Sequence, residues 1–353
     1  MVEKIKVAVV DDSLFIRTIL SDMLSADSEI EVVGTAKDGL EAVRLVEEKE
    51  VDVVTMDIVM PRSDGIHALG KIMAMEDPPS VVMLSAADRA SADTVMKSLE
   101  MGAFDFILKP ASTSSTDILR LKWEILSKIK AAFKTGWKRT PEECIADLKA
   151  VPADTKGIPS SDRVIAIGSS TGGPVALRYI LTCMPQHLPA PIVIAQHMPK
   201  AFTESFAERL GKKTRIDIKE ATDGEVLKDA HAYIAPGDCH MRIFSNDKRK
   251  LEVALDEGER IGGGRPSADI LLTSAAEAAG KKAIGIILTG MGTDGAKGIK
   301  KIKEAGGFTI AQDENTSLVW SMPHAAIKLG VVDRVLPLQD IPAALLSRVG
   351  VRA

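Results

Sequence analysis

Val164-Ile165-Ala166-Ile167-Gly168-Ser169-Ser170-Thr171-Gly172-Gly173-Pro174 sets the architecture of the chain's second half. Val164 to Ile167 is a run of four apolar, mostly β-branched residues, which predicts a short buried strand. A Ser/Thr/Gly turn follows. Pro174 to Leu181 then reads as a helix, with Pro174 in the first turn where a missing N–H costs little. Strand, tight turn and helix place the turn at the carboxyl edge of a parallel sheet, where α/β proteins keep their sites. Gly168 to Gly172 also fits the spacing G-x-S-x-G, which puts a serine on a sharp turn with its hydroxyl exposed. Helix N–H groups beside it could hold an oxyanion. The same turn would equally cap a helix or cradle a phosphate, so this stretch alone leaves both readings open.

The rest of the chain narrows them. Its 353 residues predict about two domains, and a hydrophobic content of 45% fills two cores. A formal net charge of -4 gives no global attraction to nucleic acid or to a membrane surface. The short basic runs Lys212-Lys213-Thr214-Arg215 and Lys248-Arg249-Lys250 read as solvated faces. Cys144, Cys183 and Cys239 are scattered without a CxxC pair, which argues against disulfide or zinc frameworks and suits a reducing, cytoplasmic setting. The apolar run Val7 to Val10 ends in two aspartates, so no secretory signal is expected, and no stretch approaches membrane-spanning length.

From the start to about residue 125 the chain alternates strand and helix five times. Strands are expected at 5–10, 31–35, 53–56, 81–84 and 104–108, and helices at 13–25, 39–48, 65–75, 92–101 and 116–133. Strict alternation means a doubly wound parallel sheet with helices on both faces. Polar residues gather at the strand ends: Asp11 and Asp12 after the first, Asp57 on the third, Ser85 on the fourth and Lys109 on the fifth. One sheet edge collects all five. Three carboxylates brought together repel one another, and they call for a hard divalent cation with oxygen ligands, Mg²⁺ foremost. A carboxylate beside Mg²⁺, faced by a lysine and a hydroxyl, is suited to accept a phosphoryl group.

These residues make 4–122 similar to the CheY-type receiver domains of response regulators. The matching residues are Asp11-Asp12, Asp57 within Met56-Asp57-Ile58-Val59-Met60-Pro61, Ser85-Ala86 and Lys109-Pro110. The resemblance implies a flavodoxin-like (βα)5 fold in which Asp57 is the phosphoacceptor. It implies Mg²⁺ held by Asp12, Asp57 and the Val59 backbone carbonyl, with Asp11 acting through water. Ser85 and Lys109 would contact the phosphoryl group, Phe106 falls at the aromatic switch position, and the Lys109–Pro110 bond is expected to be cis.

Between 126 and 162 the rhythm lapses into mixed charge with Pro141, Pro152, Pro159 and Gly157, which reads as a linker holding at most one short helix at 141–148. Trp137 either packs between domains or stands exposed. Residues 163–353 are again α/β. Strands are expected at 164–167, 192–195, 216–220, 283–288, 308–312 and 331–335, and helices at 174–181, 202–210, 267–279, 298–305, from Met322-Pro323 onward, and 341–349. Ala232 to Ala235 and Met241 to Ile243 read as a hairpin around Pro236-Gly237-Asp238, with 251–255 able to pair with it.

Three of these strands lead to Ser170, His197 and Asp294. A serine at its free pKa is a weak nucleophile and needs a base. Histidine fits that role, and an aspartate fixes the imidazole tautomer. Of the six histidines only His197 directly ends an expected buried parallel strand. Asp294 would otherwise cap the next helix. The order Ser, His, Asp differs from the Ser, Asp, His of α/β-hydrolases. A dinucleotide or P-loop reading lacks its GxGxxG or GK[ST].

Residues 163–347 resemble the catalytic domain of CheB-type chemotaxis receptor methylesterases. The resemblance rests on 167–173, Gln196-His197-Met198-Pro199, Tyr233 to Asp238, Arg265-Pro266-Ser267 and Leu288 to Gly295. It implies Ser170 as nucleophile, His197 as base, Asp294 as orienting acid, and Thr171 and Met291 N–H groups as oxyanion donors, with no cofactor for the ester chemistry. Where the family usually has alanine before the nucleophile, this chain has Ser169. Alternate side chains of a strand point oppositely, which keeps Ser170 as the nucleophile. The implied activity is hydrolysis of glutamate methyl esters on methyl-accepting chemotaxis receptors, with deamidation of certain receptor glutamines. The implied phosphodonor is a CheA-type histidine kinase, and membrane contact would come only through the receptors. The receiver is expected to pack over the Ser170 cleft until phosphorylation shifts the population. Two other readings stand against this one: a receiver with a nucleic-acid-binding output, which would need a basic helical module, and a silent adaptor with the same fold.

Overall fold

The computed structural model describes residues 4–86, 88–109, 115–135, 155, 157, 159–261 and 264–351. The chain divides into two compact units, Met1–Cys144 and Ile145–Ala353. The segment 126–162 lies largely outside the described residues past Thr135, and with it Trp137, Cys144 and the short helix at 141–148.

The first unit is a five-stranded parallel sheet in the order β2-β1-β3-β4-β5. Its strands are β1 (Ile5–Val10), β2 (Ile30–Ala36), β3 (Val53–Asp57), β4 (Ser80–Ser85) and β5 (Asp105–Leu108). Every residue of β3 and β4 is buried, as a strand covered on both faces requires. Helices α1 (Leu14–Ser25), α2 (Gly39–Glu48), α3 (Gly65–Met73), α4 (Arg89–Glu100) and α5 (Ser115–Thr135) connect and follow them. Four of the five start on a side-chain cap, from Ser13, Asp38, Asp64 and Asp88. The chain leaves β1 toward β2 on one side and returns to β3 on the other. The carboxyl ends of β1 and β3 therefore flank the switch point, and Asp11, Asp12 and Asp57 sit there.

The second unit holds a seven-stranded sheet in the order β14-β13-β12-β6-β7-β9-β8, parallel throughout. Its strands are β6 (Val164–Ser169), β7 (Ile192–Gln196), β8 (Asp217–Glu220), β9 (His231–Ile234), β12 (Ala283–Ile287), β13 (Phe308–Gln312) and β14 (Arg334–Leu336). Two further strands, β10 (His240–Ser245) and β11 (Leu251–Asp256), form a separate antiparallel pair. The helices are α6 (Gly173–Thr182), α7 (Lys200–Gly211), α8 (Ala268–Ala279), α9 (Ala296–Glu304), α10 (Ser321–Lys328) and α11 (Ile341–Arg348). Helix α8 lies close on β6, because a methyl group on Gly168 would come within 2.6 Å of Ala268 Cβ. That approach sets the start of α8 beside the turn that follows β6. The chain leaves β6 toward β7 and later returns on its other flank as β12, so the second switch point lies between β6 and β12. Among the described residues no helix is long and apolar enough to cross a membrane.

The expected hairpin around Pro236-Gly237-Asp238 is corrected. β9 joins the main sheet beside β7, parallel, and the antiparallel partner of β10 is β11. The two apolar runs at 232–235 and 241–243 looked like a hairpin because a Pro-Gly-Asp turn separates them. A strand as apolar as Ala232-Tyr233-Ile234 is better buried inside the large sheet, and all three residues are fully buried. The last strand also begins at Arg334 rather than at 331, where Val331 packs onto the core from a loop.

Candidate active site and acidic pocket

The acidic pocket of the first unit is built from three strand ends. Ligand oxygens of Asp11, Asp12 and Asp57 all lie within 4.8 Å of one another, with Asp11 and Asp57 buried and Asp12 exposed. Lys109, just past β5, places its Nζ 2.7 Å from Asp11 Oδ2 and 2.8 Å from Asp57 Oδ2. Beyond that ion pair the buried Asp11 Oδ2 has no hydrogen-bond partner. Asp11 Oδ1 accepts from the Ser13 N–H at 3.0 Å, which ties the pocket to the cap of α1. Burial, with the charges of Asp11 and Asp12 behind it, holds Asp57 above the ordinary carboxylate value against the pull of Lys109. Burial alone would draw Lys109 down, but the Asp11 and Asp57 carboxylates hold it above the ordinary lysine value. Three carboxylates and one lysine leave the pocket net negative, and Asp11 Oδ2 has only Lys109 as a partner, so it keeps spare acceptor capacity. Both features fit a hard divalent cation. Gly65 lets α3 start against this pocket, since a Cβ there would meet the Asp57 carbonyl oxygen at 2.1 Å.

Ser85, at the end of β4, is buried and donates its hydroxyl to the Ala86 carbonyl at 3.0 Å. Phe106 is buried in β5, and Lys128 Nζ stands 5.5 Å from its ring centroid. The Val59 side chain is exposed. Pro110, and with it the Lys109–Pro110 bond, lies outside the described residues.

In the second unit Ser169 and Ser170 part company. Ser169 is fully buried and donates its hydroxyl to Gln196 Oε1 at 2.7 Å. Ser170, on the turn, is only half-buried, and its N–H donates to the Thr289 carbonyl at 3.1 Å. Gln196 also donates its Nε2 to the Ser170 carbonyl at 2.9 Å and to the His197 carbonyl at 3.1 Å. One buried carboxamide thus locks the ends of β6 and β7 together. The turn needs Gly173 for this, because a Cβ there would meet Gln196 Oε1 at 2.0 Å. Gly290 is needed on the other side, where a Cβ would come within 2.8 Å of Ser170 Cβ.

His197 Nε2 donates to Asp294 Oδ2 at 2.8 Å. With Nε2 engaged there, Nδ1 is the nitrogen left for a nucleophile. Asp294 is held as an anion by five donors. Oδ2 accepts from His197 and from the Ala268 N–H at 2.7 Å. Oδ1 accepts from the Ser267 hydroxyl at 2.8 Å, the Asp269 N–H at 3.0 Å and the Gly295 N–H at 3.0 Å. The carboxylate therefore sits on the N-terminus of α8, in the favourable end of its dipole. Burial alone would raise Asp294, but His197 and the Asp269 and Ala268 N–H groups keep it below the ordinary carboxylate value. The Thr171 and Met291 N–H groups, one on each loop beside Ser170, donate to no group among the described residues. Such free donors next to a half-exposed hydroxyl are what acyl transfer needs.

Sequence reasoning missed Gln196 as the lock and Ser267 as a partner of Asp294. Gln196 and Ser267 stand in the motifs quoted above, but hydrogen bonds 26 to 27 residues apart in the chain carry no periodic signal.

Residues 165–345 match the family model described as CheB methylesterase, and residues 7–118 match that of the response regulator receiver domain. A protein-glutamate methylesterase/protein-glutamine glutaminase of Pyrococcus horikoshii is 45% identical over 99% of this chain and 95% of its own length. A Pseudomonas aeruginosa protein-glutamate methylesterase/protein-glutamine glutaminase 2 is 40% identical over 98% of this chain and 97% of its own. The crystal structure of the Thermotoga maritima CheB methylesterase catalytic domain is 45% identical, covers 52% of this chain and 97% of that one, and superposes with a TM-score of 0.51.

Proposed function

This chain belongs to the CheB methylesterase family, with a response-regulator receiver domain ahead of the esterase domain, and from that premise we propose a phosphorylation-regulated serine hydrolase acting on chemotaxis receptors. It is a protein-glutamate methylesterase with protein-glutamine glutaminase activity, working in chemotactic adaptation. The observation that carries the chemistry is the anionic Asp294 on the start of α8, 2.8 Å from His197 Nε2, with half-exposed Ser170 on the neighbouring turn. Residues 1–125 are the receiver, 126–162 the linker and 163–353 the catalytic domain in this reading.

Ser170 Oγ attacks the γ-carbonyl carbon of a methylated glutamate while His197 Nδ1 takes its proton. The carbonyl oxygen becomes an oxyanion facing the Thr171 and Met291 N–H groups. As the tetrahedral centre collapses, the C–OCH₃ bond breaks and the His197 proton leaves with methanol. Water then attacks the Ser170 ester, giving its proton to His197, and the C–Oγ bond breaks to release glutamate and regenerate the serine. A glutamine substrate follows the same path and releases ammonia. Throughout, Asp294 stabilises the imidazolium. Incubating the protein with methylated receptor membranes and a small phosphodonor is expected to release methanol. No release from any methylated receptor would sink the reading.

In the receiver, Asp57 is the phosphoacceptor and Asp11, Asp12, Asp57 and the Val59 carbonyl are the group that would hold Mg²⁺. When bound, Mg²⁺ neutralises phosphoryl oxygens. Lys109 pairs with the phosphoryl charge, Ser85 contacts it after turning its hydroxyl from Ala86, and Phe106 responds as the aromatic switch. A CheA-type histidine kinase is the phosphodonor, and contact with the membrane comes through the receptors. If the acidic pocket binds Mg²⁺, thermal unfolding of the receiver should shift upward with Mg²⁺. The stabilisation should be about 2.7 kcal/mol at a hundredfold excess over Kd. Asp12→Ala should lose that shift, and an equal shift in the variant would remove the assignment.

A further inference from the structure

We propose that His240 is a positioning residue for the Asp294–His197 pair, acting through the first turn of α8. The inference rests on the triad reading above. An α-helix leaves its first N–H groups without partners inside the helix. At α8 each of them is accounted for. The Ala268 and Asp269 N–H groups donate to Asp294. The Ile270 N–H donates to Ser267 Oγ at 3.4 Å. The Ser267 N–H, at the cap itself, donates to His240 Nδ1 at 3.1 Å. His240 is fully buried.

Accepting that N–H fixes the chemistry of the ring. Nδ1 must carry a lone pair, so the proton sits on Nε2, and Nε2 donates to the Glu259 carbonyl at 2.8 Å. The imidazole is therefore a neutral spacer with one acceptor and one donor, pinned between α8 and the loop after β11. Ser267 carries the constraint onward. Its backbone is held by His240 and its hydroxyl donates to Asp294 Oδ1 at 2.8 Å. Asp294 in turn sets the His197 ring. Removing the His240 acceptor leaves a buried N–H unpaired at the cap. The first turn of α8 is then free to rotate, and with it three of the donors that orient the Asp294 carboxylate. Displacements of about 1 Å in a catalytic group can cost about 10²-fold in rate.

The test uses the full-length protein with His240→Ala, His240→Gln and His240→Asn, and Ser170→Ala alongside. Asparagine carries Oδ1 at the same distance along its side chain as His Nδ1, so it can still accept from Ser267. Glutamine places its carboxamide one bond farther, near the position of Nε2. His240→Ala and His240→Gln are expected to lower kcat for methanol release by about 10²-fold with KM nearly unchanged. The downfield proton resonance of the His197 Nε2–H bonded to Asp294 should broaden or move in both. His240→Asn should recover most of kcat and the wild-type resonance. If His240→Ala folds poorly, the Asn and Gln pair decides. Equal kcat and equal His197 resonances in those two would overturn the proposal, as would a wild-type kcat in His240→Ala. Ser170→Ala separates the premises: a dead Ser170→Ala beside an unaffected His240→Ala removes the His240 role alone, whereas an active Ser170→Ala removes the triad reading beneath it.

Discussion

Replacing Ser170 with alanine is expected to lower methanol release by about 10⁴-fold or more, with folding intact. The magnitude follows from what the hydroxyl does in this site. In the proposed chemistry it is the one protein atom that forms a covalent bond to substrate. Ser169 is one residue away, but it is fully buried and its proton is committed to Gln196 Oε1 at 2.7 Å. Ser169→Ala should therefore act on the Gln196 lock and not on the nucleophile. Circular dichroism and receptor binding of Ser170→Ala should match wild type, since Ser170 is half-buried and its backbone bonds to Thr289 and Gln196 do not use the side chain. Residual activity within tenfold of wild type would mean that another group attacks the ester.

Asp57→Ala is expected to abolish stimulation by a small phosphodonor with Mg²⁺. In wild type the stimulation should lie within the range typical of coupled sites, roughly 5- to 150-fold. The phosphoryl group carries between about one and a half and two negative charges at neutral pH, in place of the one carboxylate charge it consumes. At Asp57 that charge arrives in a buried pocket already holding Asp11, with Lys109 Nζ 2.8 Å away. The lysine must re-pair and the Ser85 hydroxyl must turn from the Ala86 carbonyl, 3.0 Å from it at rest. Those rearrangements give phosphorylation a differential interaction with two states of the receiver, without which no population shift follows. Alanine at 57 removes the acceptor oxygen itself. A phosphodonor effect that persisted in Asp57→Ala would place regulation at another residue.

Much of this architecture is legible in the sequence, for a physical reason. Buried parallel strands are continuous apolar runs, and in the first unit four of the five helices begin on Ser or Asp caps. Ile5–Val10, Gly39–Glu48 and Phe308–Gln312 accordingly begin and end where the residue pattern places them. The alternation of strand and helix also gathers strand ends on one edge, so Asp11, Asp57 and Lys109 could be read as neighbours before any distance was known. Topology among short strands is less legible. Tyr233 and Met241 sit in equally apolar runs, yet one lies in the seven-stranded sheet and the other in a two-stranded pair. Local pattern does not say which neighbour a strand will bury itself against. The supports of the active site were not legible either. Gln196, Ser267 and His240 each bond to residues far off in the chain, and His240 reads as one more histidine beside a strand until its ring is seen between Ser267 and Glu259.

Both halves of the molecule report in one assay: methanol release from methylated receptor membranes by wild type, Ser170→Ala and Asp57→Ala in parallel, each with and without phosphodonor and Mg²⁺. The expected result is a wild type that the donor stimulates, an Asp57→Ala that it does not, and a Ser170→Ala without activity under either condition. Wild-type release by Ser170→Ala would contradict the account at its centre.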